Sequence, residues 1–183
     1  MEKYCVFLRG INVNGIAIKM DALKDAFGGM GFAGVKTILA TGNVIISAPE
    51  GADHRREIKS SVESGLSGYF SYDAHVIIRS CPEIRDICLA AETLDVPEDC
   101  HNYYLLCDDG GMPSELKKLF DSMPHAAQEQ LFPSGGGAFW IVPKGSTLSS
   151  DFGSKVLGAK KYKSRLTSRN MNTIQKVYKA MLG

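Results

Sequence analysis

The spacing of apolar residues changes several times along the chain, and each change marks an element. Lys3 to Arg9, with the apolar run Tyr4 to Leu8 inside it, predicts a strand bounded by Gly10. After a loop from Ile11 to Ile18, Met20, Leu23, Phe27 and Met30 recur at the helical period. They predict a helix over Lys19 to Met30, stopped by Gly31. Val35 to Ala40 and Val44 to Ser47 are two β-rich runs separated by Thr41-Gly42-Asn43. That separator suits a tight hairpin, or a single long strand with a glycine bulge. Ile58, Val62 and Leu66 form one face of a helix over His54 to Phe70, and Ala74 to Arg79 predicts a further strand. The resulting order, βαββαβ, is the ferredoxin-like pattern.

Pro82, at a first turn where proline is tolerated, opens a helix that runs to Thr93. Asn102 to Cys107 then predicts a strand and Pro113 to Met123 a helix. Gln128 to Phe132 and Ala138 to Val142 form a strand pair around the connection Ser134 to Gly137. Ser149 or Ser150 caps a short helix to Leu157, and a last helix covers Asn170 to Leu182, with Thr167, Ser168 or Asn170 as its cap. No repeat is visible in the sequence. The expected fold is α+β: a ferredoxin-like half over 1–80, packed against a second, smaller α+β half over 81–183 with the order αβαββαα and a basic C-terminal helix. Ser80 to Pro82, the expected boundary, is no flexible linker, so firm packing of the halves is expected.

The composition, 44% hydrophobic and 22% charged over 183 residues, is that of a globular chain with ample Ile, Val, Leu and Phe to bury. No apolar run approaches the roughly 18–20 residues of a membrane-spanning helix. Tyr4 to Leu8 is too short for a signal-peptide core, so the expected location is the cytoplasm. The five cysteines, Cys5, Cys81, Cys88, Cys100 and Cys107, contain no CxxC pair, which argues against a disulfide framework and a structural zinc site. Cys5 and Cys107 lie in apolar runs and are read as small core residues.

Charge changes the picture. The net charge is only +1, yet residues 1–151 carry 13 basic and all 20 acidic residues, while residues 152–183 carry 8 basic residues and no acid. Such a segment reads as an anion-facing surface or as one that docks on the acidic remainder of the chain. Catalytic patterns are sparse. His54, His75, His101 and His125 fall in no metal-binding spacing, and no GxSxG elbow occurs. The pairs Glu98-Asp99 and Asp108-Asp109 read as solvated turns. Phe139 and Trp140 read as core or as a stacking platform.

Three polar segments stand out: Phe7 to Gly15 (FLRGINVNG), Ala40 to Ser47 (ATGNVIIS) and Ser164 to Thr173 (SRLTSRNMNT). In a βαββαβ unit the first strand neighbours the third, so the loop after Arg9 and the Thr41–Asn43 turn meet at one sheet edge. Arg9, Asn12, Thr41 and Asn43 then offer a bidentate cation beside turn N–H groups, the chemistry of an anion site. In the plainer reading, Gly10 and Gly42 supply positive φ, and Asn12 and Asn43 bond their own turns. In the third segment Arg165, Arg169 and Asn170 sit beside a helix start and are read as phosphate contacts, the neighbouring lysines as a solvated face.

Together the three segments resemble the bacterial family known as domain of unknown function 1697. The resemblance covers essentially the whole chain. It implies a two-part α+β protein with a ferredoxin-like N-terminal half and no established activity, cofactor or catalytic residue. This chain departs from the family where Asn14 replaces a usual glycine, Thr41 a serine and Met171 a tryptophan.

The functional expectation is a binding protein for an anion, either a phosphorylated metabolite or a nucleic-acid backbone, held by Arg9, Asn12, Thr41, Asn43, Arg165, Arg169 and Asn170. One alternative is an enzyme acting on a phosphorylated small molecule in the same basic cup. Another is a structural role, in which Arg165 and Arg169 pair with acids of residues 1–151 and lock the halves together. The sequence names no cofactor and no metal site.

Overall fold

The structure, a computed structural model, describes residues 1–11 and 17–183. Two compact units emerge, one of residues 1–84 with 176–183 and one of residues 85–175. The first contains β1 (Glu2–Arg9), α1 (Met20–Gly29), β2 (Ala33–Ile38), β3 (Asn43–Ala48), α2 (Ala52–Phe70) and β4 (His75–Ser80). Its sheet is antiparallel throughout, in the order β2-β3-β1-β4. The Thr41–Asn43 separator is the hairpin rather than the bulge, closed by the pair Ile38 and Asn43. Tyr4, Val6 and Leu8 alternate onto the helix-covered face and build a core with Leu23, Phe27, Val62 and Leu66.

Local chemistry explains where the elements end. The amides of Gly31 and Phe32 bond the carbonyls of Gly28 and Phe27 at 2.9 and 3.2 Å, and Gly31 has φ +87°. That is the two-bond stop that a left-handed glycine permits, completed by contact between the Phe27 and Phe32 rings at 5.8 Å. The Lys3 ammonium donates to the Met181 carbonyl at 2.8 Å, tying the last turn of α6 (Met171–Leu182) to β1.

After β4 the chain enters α3 (Cys81–Ala91) without a loop. The Ser80 N–H donates to Glu83 Oε2 at 2.8 Å, and Arg55 grips the same carboxylate through both terminal nitrogens at 3.0 and 2.9 Å. Burial pushes the Glu83 carboxyl up, but the Ser80 N–H and the Arg55 guanidinium outweigh it and hold it below the usual value. A depressed carboxylate stabilises the fold above its unfolded pKa, about 4.3, and that contribution disappears as pH falls through the folded value. Glu83→Gln is therefore expected to cost about 1 kcal/mol at pH 7, a modest figure because the pair is partly exposed. The gap between mutant and wild type should close near pH 3. Thermal melts of both proteins at the two pH values check this; an equal gap at both would contradict it.

The second unit contains β5 (Cys100–Cys107), α4 (Met112–Asp121), β6 (Gln130–Ser134), β7 (Gly137–Pro143), α5 (Asp151–Leu157) and β8 (Leu166–Asn170). A 3₁₀ turn at Lys160–Tyr162 lies between the last two. Its sheet order, β6-β7-β5-β8, repeats that of the first unit position for position. The register repeats as well: Cys5 opposes Ile45 and Arg79 across β1, and Tyr104 opposes Phe139 and Arg169 across β5. So does a bond at the hairpin exit, Leu8 N–H to Gly42 O at 2.8 Å and Cys107 N–H to Gly136 O at 3.1 Å. The chain is thus two βαββαβ units in tandem, a repeat that side-chain identity does not display.

This corrects one part of the sequence reading. The order αβαββαα has no strand between the last two helices, yet β8 is there. Thr167 and Ser168, expected as helix caps, are strand residues opposite Leu106 and Leu105. Four of the five residues of β8 are polar, so no apolar alternation marks it; pairing with β5 makes it a strand.

Candidate functional site

At the exit of β1, Gly10 has φ +75°, and at the hairpin Gly42 has φ +73°. The Leu8–Gly42 bond brings the two turns together, with Phe7 opposite Asn43. A Cβ on Gly42 would lie 2.9 Å from both Leu8 Cβ and Ile11 Cδ1, so the approach itself demands glycine there. Asn43 is fully buried, and its amide donates to the Ile38 carbonyl and the Thr41 hydroxyl, each at 2.9 Å. The side chains of Thr41 and Asn43 thus bond one another across the turn.

Arg9 ends β1 opposite His75, on the sheet face away from α1 and α2, where Cys5 and Phe7 also lie. It is half-buried, and burial lowers the pKa of its guanidinium. Asn12, like Asn14 and Gly15, lies outside the described residues.

The third segment belongs to the second unit. Arg165 Nη2 donates to Asp109 Oδ2 at 2.5 Å, while Asp109 Oδ1 accepts the N–H groups of Gly111 and Met112, each at 3.0 Å. The Arg165 guanidinium holds the Asp109 carboxyl below its usual value. Lys161 and the Tyr162 hydroxyl both bond Glu115, and the lysine holds that carboxyl down too. Two cations of the acid-free segment therefore dock on acids of α4 and its entry. Asp109 is exposed in the turn before α4, as its sequence neighbours suggest, and there it pairs with Arg165.

Arg169 is 8% exposed, and its Nη1 donates to the Thr167 hydroxyl and the Ser168 carbonyl, both at 2.8 Å. Arg79, its counterpart in the first unit, makes the same bond to the carbonyl of the preceding residue, Ile78, at 2.9 Å. Asn170 Oδ1 accepts the Asn172 N–H at 2.9 Å and so caps α6.

Trp140 is fully buried between Tyr103 and Phe152, which removes the stacking-platform reading; its indole N–H donates to Glu129 Oε1 at 3.0 Å. Nothing in the sequence singles out Glu129. It stands between Gln128 and Gln130 with no apolar neighbour. Cys5 and Cys107 are buried. Among the described residues no group of three His, Cys, Asp or Glu side chains is placed to hold a metal ion, and no helix is long and apolar enough to cross a membrane.

Residues 1–139 match the family described as protein of unknown function (DUF1697). The chain belongs to that family. The first two polar segments fall inside the matched residues, and the third lies beyond them. Among solved structures, this DUF1697 chain is similar to the conserved bacterial protein SP0830 from Streptococcus pneumoniae, with a TM-score of 0.78 and 18% identity, over 100% of this chain and 99% of that one. At that identity the likeness shows the fold. No curated protein matches the chain.

Proposed function

We propose that this DUF1697 protein binds a phosphate-bearing anion at the β1 exit of its first unit, with Arg9 as the charged contact. The supporting observation is the Leu8–Gly42 bond, which sets two glycine turns side by side next to Arg9. Turn amides and a planar bidentate donor together suit a phosphate group. An anion beside Arg9 would favour its charged form. Thr41 and Asn43 shape the turn in this reading rather than touching the ligand. The ligand is either a phosphorylated metabolite or a nucleic-acid backbone; both present the same group.

For the third segment we infer a structural part, supported by the Arg165–Asp109 pair and the Asn170 cap. The test is a thermal-shift panel of inorganic phosphate, sulfate, nucleotides, sugar phosphates and short oligonucleotides, on wild type and Arg9→Ala. A ligand at about 100 times its Kd adds about 2.7 kcal/mol, which raises the melting temperature by several degrees. A selective shift lost in Arg9→Ala is expected. A flat panel, or a shift that survives in the mutant, would overturn the proposal.

A further inference from the structure

The second unit holds a cleft of about 330 Å³ whose lining includes none of the residues proposed as anion contacts. Its lining includes Pro124, His125, Glu129, Pro143, Ser150 and Asp151, and no lysine or arginine. Glu129 is only 4% exposed. One of its oxygens, Oε1, is held by the Trp140 indole at 3.0 Å. The other, Oε2, has no hydrogen-bond partner among the described residues and is not sealed from solvent. Glu129 itself is part of the cleft wall.

Two other groups of the wall are already engaged. His125 stacks on Phe120 with ring centroids 4.3 Å apart, and its Nδ1 lies 2.9 Å from the Met123 carbonyl, so that nitrogen carries the proton. Ser150 Oγ accepts the Gly153 N–H at 3.0 Å. The exposed Asp151 adds a second carboxylate at the rim. The cleft thus combines apolar walls, from two prolines, with a nearly buried carboxylate steered by one neutral donor. Burying a carboxylate is costly unless a countercharge or donor meets it. A ligand bearing an ammonium or guanidinium group supplies both.

We propose that this cleft is a binding site for a small organic cation, with Glu129 Oε2 as the charge-reading atom, Trp140 as its positioning residue and the two prolines as the apolar wall. The site goes beyond the anion reading and does not depend on it. It also carries its own reporter: Trp140 is the only tryptophan in the chain and bonds the carboxylate that the ligand would engage.

The experiment is a fluorescence titration of the full chain at pH 7 and constant ionic strength. The probes are benzylamine, n-butylamine and guanidinium as chloride salts, with benzyl alcohol and n-butanol as uncharged controls. A saturable change in Trp140 emission is expected with at least one cation and with neither alcohol. Glu129→Gln keeps an acceptor for the indole and removes the charge, so it should weaken that binding at least tenfold. Asp151→Asn, at the exposed rim, should weaken it less. No saturable response to any cation would overturn the proposal, and so would equal responses to amines and alcohols or full affinity in a folded Glu129→Gln. Should Glu129→Gln fail to fold by circular dichroism, the comparison of amine with alcohol on wild type decides the matter alone.

Discussion

Replacing Gly137 with alanine is expected to cost about 3 kcal/mol or more, and so to lower the melting temperature by roughly 6–12 °C. Gly137 begins β7 between β5 and β6, opposite Leu106 and Ser134. A Cβ there would lie 2.1 Å from the Leu105 carbonyl oxygen and 2.8 Å from two atoms of the Tyr104 ring. Neither neighbour yields easily. The carbonyl belongs to one of the two inner strands of the sheet, and the tyrosine is fully buried with its hydroxyl bonded to the Ser134 carbonyl at 2.7 Å. Gly28→Ala is the control. It sits in the last turn of α1 with nothing within 4 Å of its missing Cβ, and alanine should stabilise that turn by up to about 1 kcal/mol. Urea denaturation of the two variants should move the midpoint in opposite directions. A Gly137→Ala protein as stable as wild type would contradict the packing described at β5.

The second large effect is expected at Trp140. Its ring packs against Tyr103 and Phe152 at centroid distances of 5.8 and 5.6 Å, wholly inside the second unit's core. Trp140→Ala removes that ring and leaves a cavity, at a cost of about 3–5 kcal/mol. Trp140→Phe retains most of the apolar volume but deletes the N–H that holds Glu129, leaving a buried acceptor unmet. That step alone should cost about 1–3 kcal/mol. The ordering wild type, Phe, Ala in denaturation midpoint is the expected result. If Phe matched wild type, the indole–carboxylate bond would contribute nothing to stability.

What could be read in the chain, and what could not, follows from where the information sits. The first unit was legible because its strands and helices carry their own periods. Leu23 and Phe27, Ile58 with Val62 and Leu66, and the glycine stop at Gly31 mark elements without help from distant residues. The meeting of the two turns at Gly42 also follows from topology, since β1 must neighbour β3. The strand β8 was hidden because Thr167, Ser168, Arg169 and Asn170 look like a loop until β5 lies beside them. With it went the tandem repeat, which resides in register and backbone bonds rather than in residue identity.

The candidate site divides the same way. Arg9 stands out by its place after an apolar run, and its role at an anion site is a proposal. The plainer reading of Asn43, a side chain that bonds its own turn, is what its amide does, whereas the acid that takes Arg165 and the burial of Arg169 depend on contacts that spacing does not encode. Glu129 meets Trp140 across 11 residues and a strand boundary, which no local pattern announces.

An anion that docks at the exit of β1 should perturb the turn amides there. The most direct measurement is a ¹H–¹⁵N NMR titration of the uniformly labelled protein with inorganic phosphate and then with a nucleoside monophosphate. Saturable shifts of the Gly10 and Gly42 amides and the Arg9 Nε–H, absent in Arg9→Ala, are the predicted result. Shifts confined to the basic segment 152–183, or none that saturate, would contradict it.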